Sequence, residues 1–198
     1  MNDLNILDKP KLHAEIVAKC TEIGFTMPSD LYIGTLLKTL ITSKPNSNVL
    51  ELGTGIGLSL SWMIDGMDDK SKLISIDNDS KLIEIAKNFF GQNKQVEIIC
   101  ADGTEWIKNY KGEKFDLIFA DAWPGKYSEI VEVLELVKVG GFYIIDDMST
   151  QPNWPDGHQE NVDTLIKYLE SREDFNLTKI NWSTGILIAT KNDKQNMV

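Results

Sequence analysis

Two adjacent carboxylates, Asp146 and Asp147, follow an apolar run in the segment IIDDMSTQPNWPDGH, residues 144–158. The Pro- and Gly-containing stretch after them leads to His158, one of two histidines in the chain. Carboxylate oxygens bind hard divalent cations and accept hydrogen bonds from hydroxyl groups, while an imidazole exchanges protons near neutral pH. The segment therefore suits a site that holds a cation or handles a proton. Two simpler interpretations remain, in which Asp146 caps the loop and Asp147 is solvated, or in which His158 caps the helix expected to begin near Gln159.

A second chemical signature is the glycine-rich segment VLELGTGIGLS, residues 49–59, in which Glu51 stands two positions before the first glycine. Leu58 occupies the place of the third glycine in the dinucleotide fingerprint G-x-G-x-x-G. A pyrophosphate binds at a helix N-terminus away from other anions, so Glu51 favours a ligand with a positively charged group. Three glycines are also compatible with a tight turn that binds nothing. Asp77, which closes the next apolar run, makes a ligand site the better interpretation.

Short apolar runs alternate with amphipathic helical stripes, which indicates a parallel sheet covered on both faces. Only Ser183 and Thr184 separate the last two runs, and so short a link predicts an antiparallel hairpin. We therefore predict an α/β fold, a doubly wound, mostly parallel, Rossmann-like sheet with helices on both faces and a C-terminal antiparallel hairpin. The runs before the hairpin are 48–52, 72–77, 95–100, 115–121 and 141–147.

The helical stripes carry their own start and stop signals. The first stripe ends at Gly24, and Ser29 is predicted to cap the N-terminus of the second. A later stripe contains Ile130 and Val137 and is predicted to end at Gly140. The predicted organisation is a single domain over residues 1–198, with a helical lead-in over 1–45 and the Rossmann-like core over 46–198.

Acidic residues follow the predicted strands in succession. Ligands of open α/β sheets bind beyond the carboxyl ends of the strands, near the point where the strand order reverses. One acid there is compatible with chance, but a whole rim of them indicates a site for a cation, for several hydroxyl groups, or for both. The acids are Glu51, Asp77, Asp102, Asp121, Asp146 and Asp147.

The composition excludes several functional classes. The net charge of −10 and the single arginine, Arg172, argue against binding a nucleic acid backbone. The two cysteines, Cys20 and Cys100, lack metal-site or redox spacing, which favours a reducing compartment. Neither a secretory signal nor an apolar run of membrane-spanning length is seen, so we expect a cytoplasmic protein that does not bind membranes.

The glycine loop, the segment ISIDND and the segment CADGTEW resemble, in order and spacing, three motifs of class I S-adenosylmethionine-dependent methyltransferases. The resemblance extends from about Phe25 to the final hairpin. It implies that Asp77 binds the ribose hydroxyls, that Asp102 accepts from the adenine amino group, and that Trp106 borders the adenine. The cofactor-binding residues it implies are Met27, Glu51, Gly53, Thr54, Gly55, Gly57, Ser59, Asp77, Asn78, Ala101, Asp102, Gly103, Trp106 and Asp121.

Within that superfamily, FADAWPGKY and GGFYIIDDM resemble the ends of strands four and five in small O-methyltransferases of the catechol and caffeoyl-CoA type. The resemblance implies a divalent metal, Mg²⁺, on Asp121, Asp146 and Asp147. FTMPSD resembles the segment whose methionine, here Met27, lies beside the reactive methyl group. Trp123 and Trp154 would flank a planar acceptor, or else anchor their loops.

The chain departs from that group at one position. A lysine that acts as base usually stands three residues after the strand-four aspartate, and here that position is Pro124. Lys126 lies two residues further on, where a solvated surface lysine is the more common interpretation. His158 is the other candidate for the base. The catalytic candidates are thus Asp121, Asp146, His158 and Lys126.

The leading hypothesis is an S-adenosylmethionine-dependent methyltransferase that acts on oxygen of a small-molecule acceptor. One alternative is a cofactor-binding protein without catalysis that serves as a partner or sensor, which Pro124 keeps open. Another is a nicotinamide-dependent oxidoreductase, against which Leu58 argues. Nucleic acid is not an expected substrate, and a homodimer stays open.

Overall fold

A computed structural model describes residues 2–3, 5–152 and 154–193. Its strands are β1 (Asn48–Leu52), β2 (Lys72–Asp77), β3 (Val96–Cys100), β4 (Phe115–Ala120), β5 (Val137–Ile145), β6 (Phe175–Ile180) and β7 (Ile186–Lys191). They follow the order β3-β2-β1-β4-β5-β7-β6 in a seven-stranded sheet, which confirms the predicted α/β fold. The helices are α1 (His13–Ile23), α2 (Leu31–Thr42), α3 (Leu58–Gly66), α4 (Ser80–Phe90), α5 (Gly103–Asn109), α6 (Ile130–Glu135) and α7 (His158–Glu170).

The chain divides into two compact units. The single domain predicted over the whole chain stays a prediction, and parts of its ends lie outside the described residues. The first unit consists of Met1–Ser47 and Gly53–Asp102, and the second of Asn48–Leu52 and Gly103–Val198.

Trp62 of α3 is the largest buried side chain of the first unit. It packs against Gly34 of α2 so closely that a Cβ atom at Gly34 would lie 2.5 Å from the indole Nε1. The ring of His13 from α1 meets the indole edge-on, with 5.7 Å between ring centroids. Three helices thus enclose one aromatic ring, which holds α1 and α2 against the helix that follows the glycine loop.

The second unit contains the strands that lead to the paired acids. β1 pairs in parallel with β4, and β4 with β5, while β7 pairs in antiparallel fashion with both β5 and β6. The predicted hairpin is therefore confirmed. β4 and β5 are buried along most of their length and end at adjacent positions, Ala120 beside Ile145. The residues that follow these two strands are consequently neighbours.

Two predicted helix boundaries are wrong. Asp30, and not Ser29, caps α2, because its carboxylate accepts from the backbone N–H groups of Tyr32 and Ile33 at 2.7 and 2.9 Å. The stripe predicted to run on to Gly140 stops at Glu135. Val137 begins β5 instead, ahead of a register shift where that strand pairs with β4.

In the described ranges, none of the helices combines the length and the apolar character that crossing a bilayer requires.

Candidate active site

The glycine loop, residues 53–57, turns the chain from β1 into α3. Gly53, Gly55 and Gly57 all have positive φ angles, of 105°, 51° and 96°, which glycine adopts without steric cost. A Cβ atom at Gly57 would also lie 2.8 Å from the ring of Phe90. The alternating glycines are therefore required by the backbone. The loop N–H groups of Gly53 and Thr54 donate to Ile76 O, and that of Gly55 donates to a neighbouring carboxylate.

Asp77 at the end of β2 is that neighbouring acceptor. Its Oδ2 accepts from Gly55 N–H at 2.9 Å, and its Oδ1 accepts from Asp79 N–H at 2.9 Å. These bonds hold the carboxylate rigidly beside the loop, and each oxygen retains a second lone pair. The arrangement can bind two adjacent hydroxyl groups, as the sequence predicts for a ribose.

The other predicted cofactor residues fall into both units. In the first unit Thr54 is buried and its hydroxyl lies 2.6 Å from Ser75 Oγ, whereas Met27 is 70% exposed. Ala101 donates its N–H to Asp77 O at 3.0 Å. In the second unit the ring of Trp106 stacks on Tyr110 with centroids 4.6 Å apart. Met27, Gly53, Thr54, Gly55, Gly57, Ser59, Asp77, Asn78, Ala101 and Asp102 belong to the first unit, and Glu51, Gly103, Trp106 and Asp121 to the second.

Three carboxyl groups in the second unit form what we call the acid cluster: Asp121, Asp146 and Asp147. One oxygen from each lies within 4.8 Å of the others. Asp121 follows β4, and the other two follow β5. Asp147 has a φ angle of 53°, a left-handed conformation that is uncommon outside glycine and is found at functional sites. The predicted convergence of these three residues is thus present in the structure.

Burial dominates the electrostatics of the acid cluster. It raises the pKa of Asp121 from its usual value to about 7, with the charge of Asp147 adding to the rise and Lys126 opposing it. Burial and the Asp121 charge raise the pKa of Asp146 well above its usual range. Asp146 Oδ1 is buried and lacks a hydrogen-bond partner among the described residues. Such an atom is costly unless a proton or a cation joins it.

Lys126 is 5% exposed, so the interpretation of a solvated surface lysine is wrong. Although burial lowers the pKa of this ammonium, the charges of Asp146 and Asp121 more than offset that effect and the pKa is raised. The buried ammonium group therefore stays charged near the acid cluster. It supplies a positive charge to the acid cluster although Pro124 occupies the usual lysine position.

A tight turn brings Lys126 inward. Gly125 donates its N–H to Ser128 O at 2.7 Å and accepts at its own oxygen from Tyr143 Oη at 2.5 Å. Its φ angle is 86°, and a Cβ atom would lie 2.3 Å from Leu52 Cδ1. Only glycine fits this position, so the Pro-Gly sequence reverses the chain at once and directs the next side chain into the interior.

His158 is the first residue of α7, not a residue ahead of it. Its Nε2 lies 3.1 Å from Tyr127 Oη, and its ring centroid lies 4.6 Å from that of Trp154. The ring of Trp123, 53% exposed, lies 4.9 Å from the Tyr127 ring. The two tryptophans predicted to flank the acceptor thus belong to one cluster of aromatic rings that also contains His158.

Sequence reasoning missed Tyr127. Its signal is weak, because a tyrosine in a loop is common and nothing in its spacing distinguishes it. The one signal in the sequence was that Tyr127 directly follows Lys126. If a turn directs one side chain into a site, the next side chain lies close to that site.

Comparison with known proteins gives a family model described as O-methyltransferase, which matches residues 11–191. A relative from Mycobacterium ulcerans is 25% identical over 179 residues, which are 85% of this chain and 79% of that protein. Another, from Mycobacterium avium, is 29% identical over 118 residues, 57% of this chain and 53% of that protein.

Two solved structures share the fold. The O-methyltransferase from Bacillus cereus, in complex with SAH, has a TM-score of 0.79 at 19% identity, over 95% of this chain and 94% of that one. An O-methyltransferase from Streptomyces achromogenes involved in tomaymycin synthesis, in complex with SAM, has a TM-score of 0.81 at 20% identity, over 96% of this chain and 93% of that one. At these identities the likeness shows the arrangement of the chain.

Proposed function

The chain belongs to the O-methyltransferase family and is an S-adenosylmethionine-dependent enzyme, and we propose that its methyl acceptor is a hydroxyl oxygen of a small, planar molecule. The observation that carries the acceptor class is the acid cluster with the buried Lys126 beside it. Hydroxyl groups donate to carboxylates and are deprotonated more readily beside a fixed positive charge.

The donor half of the reaction rests on the glycine loop and Asp77. The two lone pairs left on the Asp77 oxygens match the two ribose hydroxyls of the cofactor. A Cβ atom at Gly57 would lie 2.8 Å from the ring of Phe90, so the glycine lets the loop pack against α4 and fixes its position beside Asp77. The cofactor itself supplies the reactivity of the methyl group, and the protein fixes its orientation.

The acceptor half needs orientation and the removal of a proton. Trp123 and Trp154 provide flat apolar surfaces beside His158, which suit a planar acceptor. In the transfer, an oxygen lone pair attacks the methyl carbon as the carbon–sulfur bond breaks, S-adenosylhomocysteine leaves neutral, and the hydroxyl proton passes to a base. A phosphate-bearing acceptor is disfavoured because the one arginine, Arg172, pairs with Asp174.

The acid cluster also fits a divalent cation. Asp146 Oδ1 is buried and lacks a partner among the described residues, and hard carboxylate oxygens from three residues converge within 4.8 Å. Asp121, Asp146 and Asp147 would hold Mg²⁺ there. When bound, the ion would orient adjacent hydroxyl groups and lower their pKa.

Two earlier alternatives lose their support. The family match leaves the nicotinamide hypothesis without a positive indication. The hypothesis of a protein without catalysis rested on the lysine missing at position 124, and Lys126 returns a buried ammonium group to the acceptor region.

Calorimetric titration with S-adenosylhomocysteine tests the donor site. We expect binding by the wild type and a loss of about 100-fold or more in Asp77→Ala, because removing the partner of buried hydroxyl groups costs several kcal/mol. Asp69→Asn, at an exposed acid, is the charge-matched control and should bind normally. No binding by the wild type, or unchanged binding by Asp77→Ala, would overturn the donor assignment.

The acceptor is tested by incubating the enzyme with isotopically labelled S-adenosylmethionine, Mg²⁺ and a panel of catechols, phenols and primary amines. We expect label on oxygen of the hydroxylated compounds. Transfer to amines alone, or to none of the panel, would contradict the proposed acceptor class.

A further inference from the structure

Tyr127 contacts a ring nitrogen of His158 and therefore determines how this histidine can accept a proton. Its hydroxyl oxygen lies 3.1 Å from His158 Nε2, and the two rings meet edge-on with centroids 5.1 Å apart. The imidazole nitrogen that points away from the backbone is therefore engaged with the phenol. If His158 acts on a proton of the acceptor through that nitrogen, it must act through Tyr127.

The tyrosine is held from its own loop. Its backbone N–H donates to Trp123 O at 2.9 Å, within the turn that Gly125 closes. The Lys126 ammonium group lies 5.5 Å from the centre of the Tyr127 ring. The phenol is consequently fixed by a rigid turn and lies between the buried ammonium and the imidazole.

The histidine is held from a different loop. The chain enters α7 through Gly157, and the His158 N–H donates to Pro155 O at 3.1 Å. Trp154 packs on the imidazole at 4.6 Å between centroids. The hydroxyl group and the imidazole nitrogen are thus held by two separate loops, each with its own hydrogen bonds. The contact between them is therefore fixed by the fold.

The direction of the hydrogen bond depends on the tautomer of His158, and the surroundings of Tyr127 favour the phenol as the donor. Burial raises the pKa of Tyr127, and the charges of Asp147, Asp146 and Asp121 add to this effect, although Lys126 opposes it. The phenol therefore keeps its proton, and a protonated phenol donates to an unprotonated nitrogen. When the proton of the neutral imidazole is on Nδ1, Nε2 accepts from the phenol, and this is the tautomer that a proton transfer from Tyr127 to His158 requires.

We propose that Tyr127 is a further catalytic residue, which together with His158 forms a hydroxyl–imidazole dyad that receives the proton of the acceptor hydroxyl. The inference rests on the proposed O-methyl transfer. As the acceptor O–H bond breaks, its proton joins Tyr127 Oη while the Tyr127 proton passes to His158 Nε2. The phenol is neutral before and after, and His158 becomes an imidazolium that later releases one proton to water.

The tautomer of His158 tests the hydrogen bond directly. In ¹⁵N-labelled protein saturated with S-adenosylhomocysteine, long-range ¹H–¹⁵N spectra resolve the two histidines, so His13 is the internal reference. We expect neutral His158 with its proton on Nδ1, and a shift of several-fold toward the Nε2–H form in Tyr127→Phe, while His13 is unchanged. Nε2–H already in the wild type, or an unaltered tautomer in Tyr127→Phe, would overturn the dyad. The wild-type result decides even if the variant folds poorly.

Single-turnover kinetics test the role in catalysis. On the best acceptor of the panel, Tyr127→Phe and His158→Gln should each slow methyl transfer about 100-fold, with cofactor affinity kept, because general base catalysis contributes about 10²–10⁴-fold. Their rates should climb with hydroxide concentration, and added imidazole should rescue His158→Gln. Tyr110→Phe, which removes a phenol bonded to Glu113 O, is the matched control. An unchanged rate in Tyr127→Phe refutes the dyad. A wild type that is inactive toward every acceptor counts against the proposed function, and the dyad is then tested by the tautomer of His158 alone.

Discussion

Asp121 carries the ionisation in the acid cluster that can be followed most directly. Burial raises its pKa from 3.8 to about 7, so the folded chain binds this proton more tightly than the unfolded chain does. Between those two values the folded state holds more protons, and the free energy of unfolding therefore falls as pH rises. The stability is fully present below the unfolded value and is lost once the pH passes the folded value.

The substitution Asp121→Asn removes that ionisation. Relative to the wild type, the variant should gain stability on the order of 2 kcal/mol between about pH 5 and about pH 8, since one pKa unit corresponds to roughly 1.4 kcal/mol. Urea unfolding in the presence of EDTA at both pH values measures the change. Asp69→Asn, at an exposed acid, should show a much smaller difference. An equal gap between Asp121→Asn and the wild type at both pH values would show that Asp121 ionises normally.

Single residues also show what a sequence conceals. The type and order of Asp121, Asp146 and Asp147 were sufficient to predict that they converge, because parallel strands end at one edge. The burial of Lys126 was not predictable, since it depends on the direction in which a turn points one side chain. Tyr127 was missed for the same reason.

At the scale of elements, the turn between β4 and α6 determines where Lys126 and Tyr127 of the proposed acceptor site lie. Gly125 is enclosed by Leu52 and by Val133 Cγ2, which a Cβ atom would approach to 3.3 Å. The turn therefore cannot move without displacing buried side chains of β1 and α6. Because Lys126 and Tyr127 directly follow Gly125, the same packing fixes their positions.

Gly125→Ala should disrupt this arrangement. The added Cβ meets Leu52 at 2.3 Å on a backbone with positive φ, so we expect a loss on the order of 2–4 kcal/mol in the free energy of unfolding and a lower methyl transfer rate. Gly140→Ala is the matched control, because its φ angle is 77° and nothing lies within 4 Å of the new atom. It should cost only the backbone strain, about 1 kcal/mol, and spare activity. Equal losses in both variants would mean that the clash at Gly125 is relieved cheaply.

Some boundaries of helices and strands could be predicted from the sequence, and others depend on tertiary packing. β1 and β2 begin and end where their apolar runs do. Val137 fits a helical stripe by spacing, but pairing of β5 with β4 across from Phe115 decides its conformation. Asp30 and Ser29 are both good capping residues, and the choice between them depends on where α2 packs.

At the scale of the whole molecule, the residues predicted to bind the cofactor belong to both units of the chain, and the acid cluster belongs to the second. The net charge of −10 is consistent with a small-molecule acceptor. The absence of nucleic acid partners, a cytoplasmic location and a homodimer stay predictions. The acid cluster has a further consequence, because three carboxyl groups with one ammonium group, Lys126, to balance them destabilise the fold at neutral pH.

Divalent cations should reverse that effect. Because Mg²⁺ binds carboxylates in their ionised form, it must displace the protons that burial retains on Asp121 and Asp146. The stabilisation of the chain by Mg²⁺ should therefore be larger near pH 8 than near pH 5, reaching about 2.7 kcal/mol at a concentration of 100 times the dissociation constant. Urea unfolding at fixed Mg²⁺, with EDTA as the blank, measures it.

Asp146→Asn should abolish most of this stabilisation, since it removes the negative charge of the carboxyl group whose buried Oδ1 lacks a partner among the described residues. Asp69→Asn changes the net charge equally at an exposed acid and should retain the stabilisation. If Mg²⁺ stabilised both variants to the same extent, the ion would be binding to the acidic surface at large. The negative charge of the acid cluster would then be balanced by bound protons and Lys126 alone. Removal of the proton from the acceptor hydroxyl would have to be carried out by side chains of the protein, without a metal ion.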